Sequence, residues 1–441
     1  MNITVIGTGY VGLTTGIGLA DFGCDVCCVD INIEKIKLLN EGGMPFYEPG
    51  MSEVLTKNIS NGHLSFSANI DEKIQDADVI FIAVGTPQME NGDADLSFIY
   101  NAADLIGENI KDYTIVVVKS TVPVGTNEKI KGLVQSKISK GKMSRKNEDV
   151  DFDIVSNPEF LREGRALYDF MHPDRVVIGT DNERPIETIK NIYRPLYLNR
   201  TPFVFTDLRT AELVKYSSNC FLATKVAFIN EMARLCDSVG ANIKDVSYAM
   251  GKDGRIGNKF LHPGPGYGGS CFQKDTEAIV HIGNVNNTDL SIIKAVISSN
   301  KIQKEYAARK IIDSLGDIKK PAIAVLGVAF KSETDDMREA PSISIINTLL
   351  HHDIEVKIYD PQAMANSKKI WGDKLTYCED EYSVCHGCHG IAILTEWNQF
   401  RNLNLKRMRS MMKGDQFFDF RNIYEPEEVI DCGFKYIGIG R

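Results

Sequence analysis

A short apolar run at residues 2–6 leads straight into Gly7-Thr8-Gly9-Tyr10-Val11-Gly12, and no other segment of the 441-residue chain restricts the fold as tightly. A helical pattern follows to Gly23, and CDVCCVD returns as a strand ending at Asp30. The order is one βαβ unit. Its glycines permit a tight turn and let the backbone come close to a pyrophosphate at the helix N-terminus. An acid closing the second strand accepts from a ribose 2′-OH and repels a 2′-phosphate, so Asp30 points to NAD rather than NADP. A glycine turn without a ligand and a solvated strand end are the plain readings, and the strand–turn–helix setting favours the cofactor. Further strands at 79–84, 114–118 and 152–156 predict a doubly wound parallel sheet.

The same order returns from Pro321: strand AIAVLGVAF, helix APSISIINTLLHH, strand EVKIYDP ending at Asp360, then a helix and strand GIAILTEW. Where the first copy has its glycine loop, the second has Gly327-Val328-Ala329-Phe330-Lys331, without the glycines a pyrophosphate needs. Its ligand should differ. Between the copies, 210–239 carries apolar residues at helical spacing and stops at Gly240, and a second long helix is read at about 289–315. The fold class is therefore α/β, with two Rossmann-like doubly wound parallel-sheet domains joined by a long central helix. Residues 1–200 form the NAD domain, 201–315 a helical region suited to dimerisation, and 316–441 the second Rossmann-like domain.

Fifty Lys and Arg against 59 Asp and Glu give a formal charge of −9, which argues against broad nucleic-acid or acidic-membrane binding. No basic region precedes the first apolar run and no uncharged stretch is long enough to span a bilayer, so a cytoplasmic protein is expected. The ten cysteines are scattered, which favours reduced thiols. Cys385-His386-Gly387-Cys388-His389 matches a haem-attachment pattern, but that chemistry needs export, and the plainer reading is a helix end before a strand. Alternation along the strand keeps Cys24, Cys27 and Cys28 from converging on one metal, and no metal site is expected.

The glycine- and proline-rich stretch from His262 to Gly269 runs into Ser270-Cys271-Phe272-Gln273-Lys274-Asp275. Ser270 with Gln273 reads as a capping box, putting Cys271 in the first helical turn, where the helix dipole favours a thiolate nucleophile. Asp275 lies one turn further on the same face. Lys215 and Asn219 are also one turn apart, an ammonium and an amide able to steady an oxyanion. Glu159 and Glu163 follow the strand ending at Ser156, at the sheet edge where ligands bind, and either suits a general base. Taken singly, an inert cysteine, a solvated helix face and a helix cap explain these residues as well.

Together with KSTVPVGT at 119–126, NPEFLREG at 157–164, RIGNKFL at 255–261, GYGGSCFQKD at 266–275, and Phe330-Lys331 with Arg338, the glycine loop GTGYVGL resembles the UDP-glucose 6-dehydrogenases of the nucleotide-sugar dehydrogenase family over nearly the whole chain. The resemblance implies a four-electron oxidation of UDP-glucose to UDP-glucuronate with NAD, a C-terminal domain that binds the UDP-sugar, and a homodimer. It makes Cys271 the nucleophile, Lys215 and Asn219 the oxyanion donors, Asp275 and Thr121 the holders of a water, and Glu159 the hydrolytic base. Around NAD it puts Gly7, Gly9, Tyr10, Val11, Gly12, Asp30, Lys35, Val84, Thr86, Pro87, Ser120, Thr121, Glu163, Cys271 and Arg338. Around the nucleotide sugar it puts Glu159, Phe160, Leu161, Lys215, Asn219, Phe260, His262, Tyr267, Gly268, Phe330, Lys331 and Arg421, with Arg255 reaching the neighbouring subunit's site.

Lys35 stands where many members have arginine, and a basic, polar insert at about 136–149 reads as an exposed loop. Phe272-Gln273-Lys274 favours the UDP-glucose branch over enzymes of UDP-acetamido sugars or GDP-mannose. A catalytically silent nucleotide-sugar sensor is the reading outside enzymes, and the thiol, lysine and aspartate together argue against it.

Overall fold

The computed structural model describes residues 1–89, 92–142 and 150–441. Two compact units divide the chain, Met1–Ser218 with His281–Asn287, and Asn219–Val280 with Thr288–Arg441. The first holds an eight-stranded sheet of β1 (Asn2–Ile6), β2 (Asp25–Val29), β3 (Leu64–Ser67), β4 (Val79–Ile82), β5 (Thr114–Val118), β6 (Phe152–Ser156), β7 (Val176–Gly179) and β8 (Phe203–Thr206), in the order 3-2-1-4-5-6-7-8. The central runs VIFI and TIVVV are buried at every position, as strands covered by helices on both faces must be.

Strand order reverses between β1 and β4, and at such a switch point the loops leaving the carboxyl ends of the strands diverge to form a crevice. The glycine loop, the 84–87 turn, the 119–122 segment and the Asn157–Glu159 turn leave β1, β4, β5 and β6 there. The expected parallel sheet extends only to β6. β7 meets β6 antiparallel, at Ser156 and Gly179, and β8 pairs parallel with β7.

The second unit repeats the plan with β9 (Ala322–Leu326), β10 (Glu355–Tyr359), β11 (Thr376–Tyr377), β12 (Gly390–Ile393), β13 (Gln416–Asp419) and β14 (Lys435–Gly438), all parallel in the order 11-10-9-12-13-14. Its switch point lies between β9 and β12. Two Rossmann-like sheets and a 32-residue helix, Leu208–Val239, thus match the expected fold class.

Two local expectations are corrected. The insert read as a loop from residue 136 continues the helix Thr126–Lys142 instead, because Ile130, Val134 and Ile138 recur every four residues and are buried; residues 143–149 lie outside the described residues. The capping box at Ser270 is not the helix start. Cys271 takes the cap position, its carbonyl accepting from Asp275 N at 2.8 Å, and Gln273 hydrogen-bonds forward to Glu277. Among the described residues no helix is long and apolar enough to cross a membrane, and none of the ten cysteines is in a disulfide.

Candidate active site

Gly7 has φ +100°, a conformation that disfavours any other residue, and a Cβ on Gly12 would sit 2.0 Å from the Gly7 carbonyl oxygen. A Cβ on Gly9 would meet nothing within 4 Å, so the loop leaves open space in front of the N-terminus of the helix Tyr10–Asp21. These residues fit a dinucleotide pyrophosphate. Asp30 accepts from Thr8 N at 2.9 Å and Thr8 Oγ1 at 2.6 Å, with Lys35 Nζ at 3.4 Å. Burial pushes its carboxyl up, but the bonds from Thr8 and Asn32, with the Lys35 charge, outweigh that and hold it below the usual range.

Next to the loop, Thr86 Oγ1 donates to Thr121 O at 3.0 Å and Ser120 Oγ to Val84 O at 2.7 Å, tying together the turns that follow β4 and β5. Glu48, which the sequence reading passed over, is buried and accepts from the Tyr10 hydroxyl, Gly164 N at 2.6 Å and Ala166 N at 2.7 Å. Burial and the Glu48 charge hold the Tyr10 hydroxyl far above its usual range, so it stays protonated and donating. One carboxylate therefore fixes the glycine loop against the segment carrying Glu163.

In the same unit Glu159 and Lys215 form a buried ion pair, Nζ to Oε1 at 2.8 Å, and Leu161 N donates to Glu159 Oε2 at 2.6 Å. Burial alone would raise the Glu159 carboxyl. The Lys215 ammonium, its hydrogen bond, the Leu161 N–H and the Lys119 charge prevail and hold it below its usual range. Losing one partner of such a buried pair typically costs about 3–5 kcal/mol, because the other is left uncompensated. Phe160 lies under Arg175, whose guanidinium carbon is 3.5 Å from the ring centroid.

In the second unit Asn219 Nδ2 donates to Asp275 Oδ2 at 2.6 Å, and Lys274 Nζ reaches Asp275 Oδ1 at 2.8 Å. Cys271 stands one turn before this buried carboxylate, with its Sγ 3.6 Å from Ser270 Oγ. The loop before it is held by three amides that the sequence reading missed. Gly264 N donates to Asn230, Asn300 exchanges two bonds with Tyr267 backbone, and Gln303 donates to Gly264 O. Phe260 is held with φ +64°, its ring 6.3 Å from Phe272.

The loop packs against the segment that follows β9. Gly269 N donates to Arg338 O at 2.8 Å, and Cβ atoms on Gly268 and Gly269 would strike Glu339 O at 2.4 Å and the Phe330 ring at 2.8 Å. Arg421 reaches Phe330 O at 3.1 Å, Leu394 O at 2.7 Å and Glu396 at 3.0 Å, so Arg421 and Phe330, with Lys331 over the Phe330 ring, come together at the second switch point, while Tyr267 packs with Phe272 against the long helix. His262 is exposed. Arg338 pairs with Asp336 at 2.7 Å, and Arg255, 89% exposed, pairs with the nearby Asp253 at 2.5 Å.

Residues 1–197 match the NAD binding domain, 209–302 the central domain and 324–426 the UDP binding domain of the UDP-glucose/GDP-mannose dehydrogenase family. The chain belongs to this family. A UDP-glucose 6-dehydrogenase of Rhizobium meliloti (strain 1021) is 46% identical over 445 residues, covering all of both chains, and one of Bacillus subtilis (strain 168) is 44% identical, covering all of this chain and 98% of the other. The solved UDP-glucose dehydrogenase of Pyrobaculum islandicum superposes with a TM-score of 0.90 at 37% identity, covering 100% of this chain and 97% of that one. A UDP-D-ManNAc dehydrogenase of Pyrococcus horikoshii covers 100% and 99% with a TM-score of 0.86, at 29% identity.

As a family member the chain is an NAD-dependent oxidoreductase with a UDP-binding C-terminal domain. That domain differs from the NAD domain in one acid. Asp360 Oδ2 accepts from Val328 N at 2.7 Å, Ala329 N at 3.0 Å and Trp397 Nε1 at 3.2 Å, while Oδ1 accepts from Gln362 N and Ala363 N. It is fully buried, so the acid that faces a ribose in a dinucleotide site is consumed here by the loop.

Proposed function

We propose that the chain oxidises UDP-glucose to UDP-glucuronate in two steps through a thioester on Cys271. The support is the likeness to UDP-glucose 6-dehydrogenases over the full chain, higher in identity than that to the acetamido-sugar enzyme. The loop from Gly7 to Gly12, Asp30 and Lys35 hold NAD, with Val84, Thr86, Pro87, Ser120 and Glu163 beside it. NAD supplies the hydride acceptor for each oxidation.

The sugar's C6 alcohol loses a hydride and a proton to become an aldehyde, and the Cys271 sulfur adds to the aldehyde carbon. Lys215 and Asn219, on one helix, steady the oxygen of this thiohemiacetal. Loss of the second hydride leaves a thioester on Cys271. Asp275 and Thr121 hold the water, Glu159 takes its proton, and the acid leaves with the thiol restored. Glu159 is suited to this because it is ionised and paired, and Asp275 because Asn219 and Lys274 fix its orientation. Phe330, Lys331, Arg421, Tyr267 and Gly268 hold the nucleotide, with Phe260, His262, Phe160 and Leu161 toward the sugar. Residues 1–200, 201–315 and 316–441 act as NAD, dimerisation and UDP-sugar domains of a cytoplasmic enzyme.

NADH formation compared across UDP-glucose, UDP-acetamido sugars and GDP-mannose tests the substrate, and UDP-glucose should win and yield two NADH per molecule. A better rate with another sugar refutes the assignment. The Cys271→Ser chain, a poor nucleophile with a poor leaving group, should accumulate an ester-like adduct visible by mass spectrometry after denaturation. Cys271→Ala should abolish acid formation. Normal turnover to UDP-glucuronate in the alanine chain would refute the thioester.

A further inference from the structure

Lys119 follows β5 directly and is 6% exposed, yet among the described residues its ammonium meets no carboxylate directly. Nζ donates to Asn157 Oδ1 at 3.0 Å and to the Tyr193 hydroxyl at 3.4 Å. Tyr193 donates to the same Asn157 oxygen at 2.7 Å, and Asn157 is pinned by Nδ2 to Val177 O at 2.8 Å and by its own N–H to Val118 O at 2.9 Å. Asn157 begins the turn that ends in Glu159. The Glu159 carboxylate feels two buried ammoniums, Lys215 from the long helix and Lys119 from β5, and the Leu161 N–H. Arg175 stands across the adjacent Phe160 ring. Lys119 in turn feels Glu159 and Lys215, and burial pulls it down to about 8.

Lys119 and Lys215 thus act on one buried anion, Glu159, with Arg175 beyond the Phe160 ring. A buried charge without an ion-pair partner is costly, and a neutral side chain would fill the space at lower cost. The second charge matters chemically because Lys215 is asked to serve two oxygens, the Glu159 carboxylate and the substrate oxyanion.

We propose that Lys119 is a positioning residue for the hydrolytic step, whose buried ammonium fixes the Asn157–Glu159 turn and keeps Glu159 ionised while Lys215 serves the substrate. This rests on Glu159 being the base named above, and the test separates the two. The Glu159 carboxyl band is followed by pH-dependent infrared difference spectroscopy, with Glu159→Gln as the blank, in parallel with the pH profile of kcat.

Lys119→Met should raise the Glu159 midpoint, and Lys119→Arg should restore it. An unchanged midpoint in the folded methionine chain overturns the proposal. Should that chain not fold, the arginine chain decides. The Glu159 band of the unsubstituted protein should shift again around pH 8 as Lys119 loses its proton. The guanidinium does not titrate there, so a shift that persists in Lys119→Arg overturns the proposal. If the midpoint moves while the acid limb of kcat does not, Lys119 keeps Glu159 ionised but Glu159 is not the base, and the link to hydrolysis falls.

Discussion

Asp30 and Asp360 close corresponding strands of the two halves and each accepts backbone N–H groups from its own loop, yet only Asp30 belongs to a loop with the glycines a dinucleotide needs. Asp30 is also only half-buried and keeps a cation, Lys35, beside it. Its replacement should therefore do two things. Asp30→Ala loses the ribose acceptor and frees the Thr8 N–H, so KM for NAD should rise by roughly tenfold or more, the scale of a lost charge-assisted hydrogen bond. The NAD-to-NADP preference in kcat/KM should fall as the like charge disappears. A preference ratio that stays unchanged in the alanine chain would move the determinant elsewhere. The acid at the strand end was legible from its spacing to the glycines. The Asp360 contacts were not, because Trp397 arrives from a loop beyond β12.

The helix Tyr10–Asp21 shows how packing overrides propensity. Glycine is unfavourable inside a helix by about 1 kcal/mol, yet three occupy this one. Gly12 lies under the Gly7 carbonyl, a Cβ on Gly16 would sit 2.2 Å from Cys28 Sγ, and one on Gly18 would sit 2.2 Å from the Phe170 ring. The helix therefore lies close on the sheet, which puts its N-terminus against the loop that receives the cofactor. Gly12→Ala would gain propensity and still lose function, since its Cβ meets a backbone oxygen that cannot step aside. The expected result is a chain with NAD binding weakened by at least about tenfold, read by fluorescence titration. NAD affinity equal to that of the unsubstituted protein would show that the loop tolerates the shift. Boundaries were less legible than helices. Ser270 with Gln273 is a sound capping pattern, but the turn from Gly268 and Gly269 delivers Cys271 to the cap position, and that turn is set by Glu339 and Phe330.

For the whole molecule, the proposed dimer has a surface to use. Phe221, Phe228 and Leu235 recur every seven residues along the long helix and are 66%, 47% and 52% exposed, with Tyr248 on the next helix at 68%. A stripe of this kind is costly in water and suits a second copy of the same helix. Phe228→Asp should turn the dimer into a monomer in sedimentation velocity, and an unchanged dimer would place the interface elsewhere. The reach of Arg255 into a neighbouring site has its own test. Mixed Arg255→Ala and Cys271→Ala chains should regain part of the activity in heterodimers, and no gain despite demonstrated subunit exchange would refute the shared site.

What the chain's order of residues determined alone was everything carried by short spacing: the glycine loop with its acid, the duplicated strand–helix order, the period of the long helix, and the cysteine four residues before an aspartate. Backbone sterics and helical or strand periodicity act within a few residues, so they can be read along the line. Tertiary structure decided which polar groups meet once buried. Glu48 joins Tyr10 to Gly164 across more than a hundred positions, Lys119 meets Tyr193 and Asn157, and Asn230, Asn300 and Gln303 hold the loop before Cys271. Nothing local marks these residues, because a buried polar atom takes its partner from whatever the packed sheet and helices bring within hydrogen-bond reach.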